Sequence, residues 1–411
     1  MGKKIIFFST PAYGHVSSVL PVIQRLVQRG HTVTWYCTAK FKSMVEKSGA
    51  NYIEYPGEFD SKYDLADITS DFYHLLDYLL QLNRRYYKEY VGRICREEVD
   101  LLLYDSMCSF AKNIAAKKGI RSICLCTTMA YNQWTFYFSN MAISTVPLVA
   151  KHGLAILKKL QEEKKFRREE RLPKVDLMDL FINSGDETIV FIPRALQPFV
   201  RTFPKSYTFV GTTIRERARM GEEEEKGSFE TQNLIQSIGE KSGSPDEKQG
   251  RSREKDIDIY ISLGTIFTEN EKLLTTIMQD PFFTDKKVII NVGRLQMRST
   301  RPNIKLVSHT NQIELLKHCK MFIDHGGLNS VWESIYRNVP QVCIPQQEEQ
   351  RMTALVAKRR GLVTYTRQFD IEKIKSCYEG GYDEKRIGQF AKIIDRADGT
   401  GRAVKIIERN L

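Results

Sequence analysis

Short apolar runs recur along this chain, most of them followed by a stretch of helical spacing. Lys4 to Ser9, KIIFFS, has the continuous apolar character of a strand buried on both faces, and the polar loop TPAYGHV follows it. From Ser18 to Arg29 the apolar residues Leu20, Ile23, Leu26 and Val27 fall on one helical face, and Gly30 ends the helix. HTVTWYC is the next strand, so the first elements form a strand–helix–strand crossover between parallel strands. DLLLYDS and SICLCTT continue the alternation around a helix from Ser109 to Lys118, and ETIVFIP and YTFVGTTI close the first half. The pattern restarts with DIYISLGTIF, KVIINVG, IKLVSH, KMFIDHGG, PQVCIP and LVTYT, with helices between them, and ends in a helical stretch broken near Gly399. Two doubly wound parallel sheets follow from this alternation.

Three stretches depart from the alternation. From about Phe59 to Arg96 the chain is rich in Tyr, Leu and Phe at helical spacing, and a second such stretch runs from Tyr131 to Lys174. The end of the latter, KHGLAILKKLQEEKKFRREERLPK, holds nine Lys or Arg against four Glu. It reads first as a solvated helix face and second as a basic face for an acidic membrane surface. From about Arg217 to Asp256 charged residues, Gly and Ser dominate, which predicts a flexible linker or surface insertion.

Length and charge narrow the class. A chain of 411 residues predicts two domains, and a formal net charge of +12 favours an anionic partner such as a nucleotide, a nucleic acid or a membrane surface. No recognised nucleic-acid motif is present. The apolar run near the amino terminus is too short for a secretory signal, and no run approaches the length of a membrane span. The eight scattered Cys do not suggest a disulfide framework, so a cytoplasmic protein is expected, with peripheral contact at the inner face of a membrane as the second reading. His309, His318, Cys319 and His325 match no zinc spacing, and Asp256-Ile257-Asp258 lies at the entry to a strand. No metal site is expected.

The chemistry concentrates in HGGLNSVWESIYRNVPQVCIPQQEEQ, His325 to Gln350. Ligands of open α/β sheets bind beyond the carboxyl ends of the strands, and His325 follows such a strand. Gly326 and Gly327 permit close approach of a ligand to the backbone. The helix that begins there offers exposed N–H groups and a positive dipole end, an anion site. Asn329 and Ser330 lie in its first turn, and Glu333 lies one turn further along the same face, where a carboxylate can accept from sugar hydroxyls.

This stretch resembles the donor-binding signature of the family 1 nucleotide-sugar glycosyltransferases, in particular the bacterial macrolide and antibiotic branch. The matching residues are His325-Gly326-Gly327, Ser330, Glu333, Val339-Pro340, Pro345-Gln346 and Glu349-Gln350. The resemblance extends to TPAYGHVSSVLPVIQRLVQRGHTVTWYCT, YTFVGTTI, ISLGTIF and RPNIKLVSHTNQIELL. It implies the two-domain GT-B architecture, two Rossmann-like domains facing across a cleft. The expected acceptor domain spans residues 1–208, with a final helix from about 388 to 411 packing back on it, and the expected donor domain spans 209–387.

The resemblance also implies roles. His325, Asn329 and Ser330 would meet the diphosphate of a UDP- or TDP-sugar, Glu333 its ribose, and Glu349 and Gln350 the sugar hydroxyls. Gly264-Thr265 would approach the phosphates, and Gln312 takes the position of the base contact. Asn311 stands where the family has Pro, which leaves uracil and thymine both open. The Gly-His of the first loop supplies the family's general base, here His15, and a base needs an orienting partner. Asp105, at the end of DLLLYD, is the candidate; its alternative is a cap on the helix that follows. The implied reaction is metal-independent transfer with inversion to a hydroxyl of a largely hydrophobic acceptor, whose pocket would draw on DFYHLLDYLLQLNRRYYKEY and MAYNQWTFYFSNMAI, segments that could equally be core. The rival readings are a membrane-associated transferase with a lipid acceptor, a non-catalytic glycosyltransferase-like auxiliary protein, and a nucleotide-sugar epimerase.

Overall fold

A computed structural model of the chain describes residues 2–55, 72–138, 141–174, 184–225, 234, 255–264, 270–293, 295–299 and 301–411. They form two compact units, residues 1–213 with 397–411 and residues 214–396.

The first unit is built on a sheet of seven strands: β1 (Lys4–Phe8), β2 (Thr32–Cys37), β3 (Asn51–Glu54), β4 (Leu101–Asp105), β5 (Ser122–Cys126), β6 (Glu187–Val190) and β7 (Tyr207–Phe209). All pair in parallel in the order β3-β2-β1-β4-β5-β6-β7. β4 and β5 are buried along their whole length, as their continuous apolar runs require. β3, with the short sequence NYIE, escapes the pattern because it is an edge strand with no fully buried residue.

The second sheet repeats the plan. β8 (Ile257–Ser262), β9 (Val288–Asn291), β10 (Ile304–Val307), β11 (Cys319–Asp324), β12 (Gln341–Cys343) and β13 (Thr364–Tyr365) pair in parallel in the order β10-β9-β8-β11-β12-β13. In each sheet the strand order reverses beside the unit's first strand, between β1 and β4 and between β8 and β11. Crossovers leave in opposite directions at that point, so a crevice opens at the carboxyl ends of those strands.

Three sequence expectations change. The first helix runs from Tyr13 to Gln28, not from Ser18, so His15 sits in a helical first turn rather than in a loop. Burial of Val16 and Val19 extends the apolar stripe by one turn, which accounts for the earlier start. The proposed linker begins as an ordered helix, Ile214–Glu225, whose buried Ile214 and Ala218 form a packing stripe one turn apart. Residues 226–233 and 235–254 of that linker lie outside the described residues.

The third concerns the carboxyl-terminal segment, where the crossing to the first unit comes at Ala397 rather than near Gly388. The helix Glu384–Arg396 buries Ile387, Phe390 and Ile394 and packs against the helix Leu328–Tyr336 of the second unit. The final helix, Gly399–Arg409, instead buries Ala403, Val404, Ile406 and Ile407 in the core of the first sheet. Its amino end presses on backbone, since a Cβ on Gly399 would stand 2.4 Å from the carbonyl oxygen of Thr212. Gly399→Ala is therefore expected to loosen this helix and cost about 1–3 kcal/mol, as overpacking does. Thermal melting with carboxypeptidase accessibility checks it, and an unchanged melting point would show that the backbone contact relaxes freely.

The aromatic helix Phe72–Arg96 serves the core. Tyr86 stacks on Tyr55 at 5.0 Å between ring centroids, and Tyr90 contacts Phe8, Tyr36 and Phe110. Of the two segments put forward for an acceptor pocket, the first thus commits four of its Tyr (Tyr78, Tyr86, Tyr87 and Tyr90) to burial.

Candidate active site

At the carboxyl edge of the first sheet, β1 delivers His15 and the neighbouring β4 delivers Asp105. His15 Nδ1 lies 2.7 Å from Asp105 Oδ2. Asp105 is buried and accepts from three further groups: the Thr10 hydroxyl at 2.7 Å and the Met107 N–H at 3.0 Å on Oδ1, and the Thr127 hydroxyl at 3.4 Å on Oδ2. Burial alone would push this carboxyl up, but the His15 charge and hydrogen bond, with the Met107 and Thr10 donors, outweigh it and hold it below the usual carboxylate range. An ionised carboxylate only accepts, so His15 Nδ1 carries the hydrogen and Nε2 is left as the basic nitrogen. The imidazole is 15% exposed and so within reach of a substrate. The alternative role of Asp105, a helix cap, reduces to its bond with Met107: in the first turn of the helix Ser109–Lys118 it is Asn83 Oδ1 that accepts from the Phe110 N–H, at 2.7 Å. Thr10 and Thr127 were not singled out in the sequence. Thr10 lies two residues past the end of β1 and Thr127 directly past the end of β5, the two strands that flank β4, a relation that only β-pairing creates.

At the carboxyl edge of the second sheet, β8 ends next to Gly264 and β11 ends next to His325. His325 Nδ1 is 3.4 Å from the Ser262 carbonyl oxygen. Gly264, at φ +90°, lies against the same ring, 3.5 Å from its edge by the position a Cβ would take. A Cβ on Gly327 would come within 2.5 Å of His325 Nε2. Gly327 is the residue before the helix Leu328–Tyr336 and, as a glycine, supplies no side-chain cap of its own. The first turn, with Asn329 and Ser330, thus lies at the carboxyl end of the sheet, where a helix presents its positive dipole end. Asn338, at φ 54°, closes the helix.

Glu333 is buried in the same helix, and both of its oxygens are engaged. Arg217 Nη2 donates to Oε1 at 2.6 Å and Gln312 Nε2 to Oε2 at 2.7 Å. Gln312 Nε2 also lies 3.1 Å from Ser330 Oγ. The candidate base contact, ribose contact and phosphate contact thus form one hydrogen-bonded chain. Asn311, in the place of the family's Pro, caps the short helix Gln312–Leu315 by accepting from the Glu314 N–H at 3.3 Å, which fixes where Gln312 begins. Arg217 was read as linker. Its helix packs on Gln312–Leu315 and on Leu328–Tyr336, and Gly221 lies where a Cβ would stand 2.6 Å from Asn311 Nδ2.

Past β12, Gln350 is buried, and its Oε1 accepts from the backbone N–H groups of Gln346 and Gln347 at 3.0 and 3.2 Å. Its carbonyl therefore holds the loop, and only its amide hydrogens remain for a sugar hydroxyl. Glu349 beside it is exposed. Thr265 lies outside the described residues. Asp258, of the Asp-x-Asp triplet, accepts from Lys320, Tyr378 and the Lys287 N–H. No group of His, Cys, Asp or Glu among the described residues is arranged to hold a metal.

Residues 248–370 match the family model described as UDP-glucoronosyl and UDP-glucosyl transferase. The NDP-glycosyltransferase YjiC of Bacillus licheniformis is 27% identical over 99% of this chain and 97% of its own length. Among solved structures, the glycotransferase of kitacinnamycin superimposes with a TM-score of 0.79 at 20% identity over the whole of both chains. The calicheamicin glycosyltransferase CalG4 does so with a TM-score of 0.71 at 21% identity, over 100% of this chain and 98% of its own. With the donor signature running from β11 into the helix Glu348–Arg359, the family-model match over that region and relatives aligned along nearly the whole chain, the protein is a glycosyltransferase that uses a nucleotide-sugar donor, and it shares the GT-B fold of these solved structures.

Proposed function

We propose that this enzyme transfers the sugar of a UDP- or TDP-sugar, with inversion and without a metal ion, to a hydroxyl of a largely apolar small acceptor. The observation that carries the reading is the 2.7 Å contact between His15 and the buried, ionised Asp105 at the point where the first sheet reverses.

In this reading His15 Nε2 takes the proton of the acceptor hydroxyl as its oxygen bonds to the anomeric carbon from the face opposite the diphosphate. The bond from that carbon to the β-phosphate oxygen breaks, and its electron pair leaves with the nucleoside diphosphate. Asp105 stabilises the imidazolium that forms, as the acid of a catalytic triad does. The positive dipole end of Leu328–Tyr336 and the side chains of His325 and Ser330 meet the charge that develops on the leaving group. Fixed dipoles aimed at that charge do the work that a divalent cation does in other transferases, so no metal is needed. Glu333, with Gln312, holds the ribose, and Glu349 with the amide of Gln350 reads the sugar.

The test is the stereochemistry of the product together with its indifference to chelators. From an α-configured UDP- or TDP-glucose, the anomeric proton of the product should show the large coupling of a β-linkage, at a rate unchanged by EDTA. An α-linked product, or a rate lost to EDTA and restored by a divalent ion, would refute the scheme.

A further inference from the structure

The transferase chemistry leaves the basic helix of the first unit without a role. In Met141–Glu169 the acids and the cations are sorted by face. Glu163 is turned inward, where it pairs with Arg84 at 2.8 Å and Arg167 at 3.5 Å, and Arg167 reaches Asn113. Glu162 and Lys159 are taken up with each other and with Arg84 and Asp77. The outward face carries Lys151, Leu154, Leu157, Lys158, Gln161, Lys164, Lys165, Arg168 and Glu169. At 3.6 residues per turn these positions cover an arc of about 140°. Leu154 stands near the middle of the arc and Leu157 towards its Lys164 edge, and they are 87% and 57% exposed, the two highest values among the large apolar side chains of the described residues. Lys151 and Lys158 border them on one side and Lys164 on the other, and none of these three forms an ion pair among the described residues. The face holds five cations against one carboxylate, Glu169, which lies 3.9 Å from Lys165.

A single exposed Leu is ordinary, but two one turn apart on one helical face, flanked by lysines on both sides, are not an ordinary solvated pattern. The helix is anchored from behind by the Arg84–Glu163–Arg167 cluster, which fixes which face turns outward. We propose that this face docks on an anionic lipid surface, with Leu154 and Leu157 entering the boundary between headgroups and acyl chains and the lysines meeting the lipid phosphates. Lysine side chains suit that geometry because their methylene stems lie along the apolar layer while the ammonium stays in the headgroups. An acidic protein partner would satisfy the cations but offers the two Leu nothing specific, since a convex single-helix face has no groove for partner side chains. The inference stands apart from the reading of the reaction: it needs neither the donor nor His15.

The experiment is flotation of the full-length protein with phosphatidylcholine vesicles, with and without phosphatidylglycerol. Binding is expected only with the anionic lipid and should weaken as salt rises, since each basic side chain contributes about fivefold. Lys151→Glu with Lys158→Glu should abolish it. Leu154→Ser with Leu157→Ser should reduce it by about tenfold or more, with UDP affinity and melting temperature unchanged because both positions face solvent. Failure to bind anionic vesicles, or equal binding to neutral ones, would overturn the proposal. So would binding that survives the Leu substitutions, which is the mark of charge attraction alone and would point to an acidic protein instead.

Discussion

His15→Ala is expected to abolish sugar transfer and leave the affinity for UDP or TDP close to that of the unaltered protein. Loss of a general base lowers a rate by roughly 10²–10⁴-fold. The imidazole belongs to the first unit, whereas the groups proposed for the diphosphate, ribose and base, from Gly264 to Gln350, belong to the second. Asp105→Asn is the companion. It keeps the shape of the side chain but removes the charge that fixes Nδ1–H and stabilises the imidazolium, so turnover should fall while donor affinity holds. It should also cost about 1–3 kcal/mol of stability, because a fully buried carboxylate with four donors loses its charge-assisted bonds.

The pH dependence separates the two residues. The carboxyl of Asp105 is held below its unfolded value near 3.9. Its contribution to stability is therefore fully present above that value and is lost only as pH falls through the lower folded one. Between about pH 5 and pH 8 the carboxyl of Asp105 does not titrate, so a change in rate within that window does not come from it. Initial rates across this range, beside calorimetric titration of the nucleotide, measure both quantities. Near-normal turnover in His15→Ala would move the base to another residue.

Arg217→Ala is expected to weaken both the second unit and its grip on the nucleotide. The ion pair with Glu333 is 2.6 Å long, with side chains 7% and 5% exposed. Removing one partner of such a pair costs about 3–5 kcal/mol, because the other charge is left buried and uncompensated. Gln312 alone would then hold Glu333, and the carboxylate proposed for the ribose would lose its fixed direction. Donor affinity should drop by about tenfold or more, the equivalent of 1.4 kcal/mol. The double substitution Arg217→Met with Glu333→Gln sharpens the test. Replacing both members of a buried pair is often nearly neutral for stability, so the melting temperature should return towards that of the unaltered protein while nucleotide affinity stays low. Were Arg217→Ala to retain both melting temperature and UDP affinity, the pair would be a bystander.

Much of this protein can be read along the chain. The apolar runs mark the strands of both sheets, because strands covered on both faces must be continuously apolar. Only the exposed edge strand β3 lacks that signal. The donor signature is legible because it is contiguous: the strand end, the Gly pair, the helix first turn and the next loop occupy adjacent stretches from β11 to Gln350. The helical ends carry weaker local cues, so the start of the first helix shifts to Tyr13 and the return of the chain to the first unit shifts to Ala397.

What the chain by itself determined is therefore the alternation of elements, the two-sheet plan and the residue types gathered around one short donor segment. Tertiary structure alone decided which distant residues meet them. His15 and Asp105 are 90 positions apart and touch because β1 and β4 are neighbours at the reversal of strand order; that pairing also brings Thr10 onto the carboxylate, and the pairing of β4 with β5 brings Thr127. Arg217 lies 116 positions from Glu333, in a charged stretch whose composition matches a solvated linker. Its burial depends on Ile214 and Ala218 finding the helices around Gln312 and Glu333. The sorting of Met141–Glu169 into an inward Glu163–Arg167 pair and an outward Leu–Lys face was likewise invisible in a run of mixed charge. In each case periodicity reports how a segment folds locally, while the partner of a charged side chain is set by which segment packs against it, and that information is spread over the whole chain.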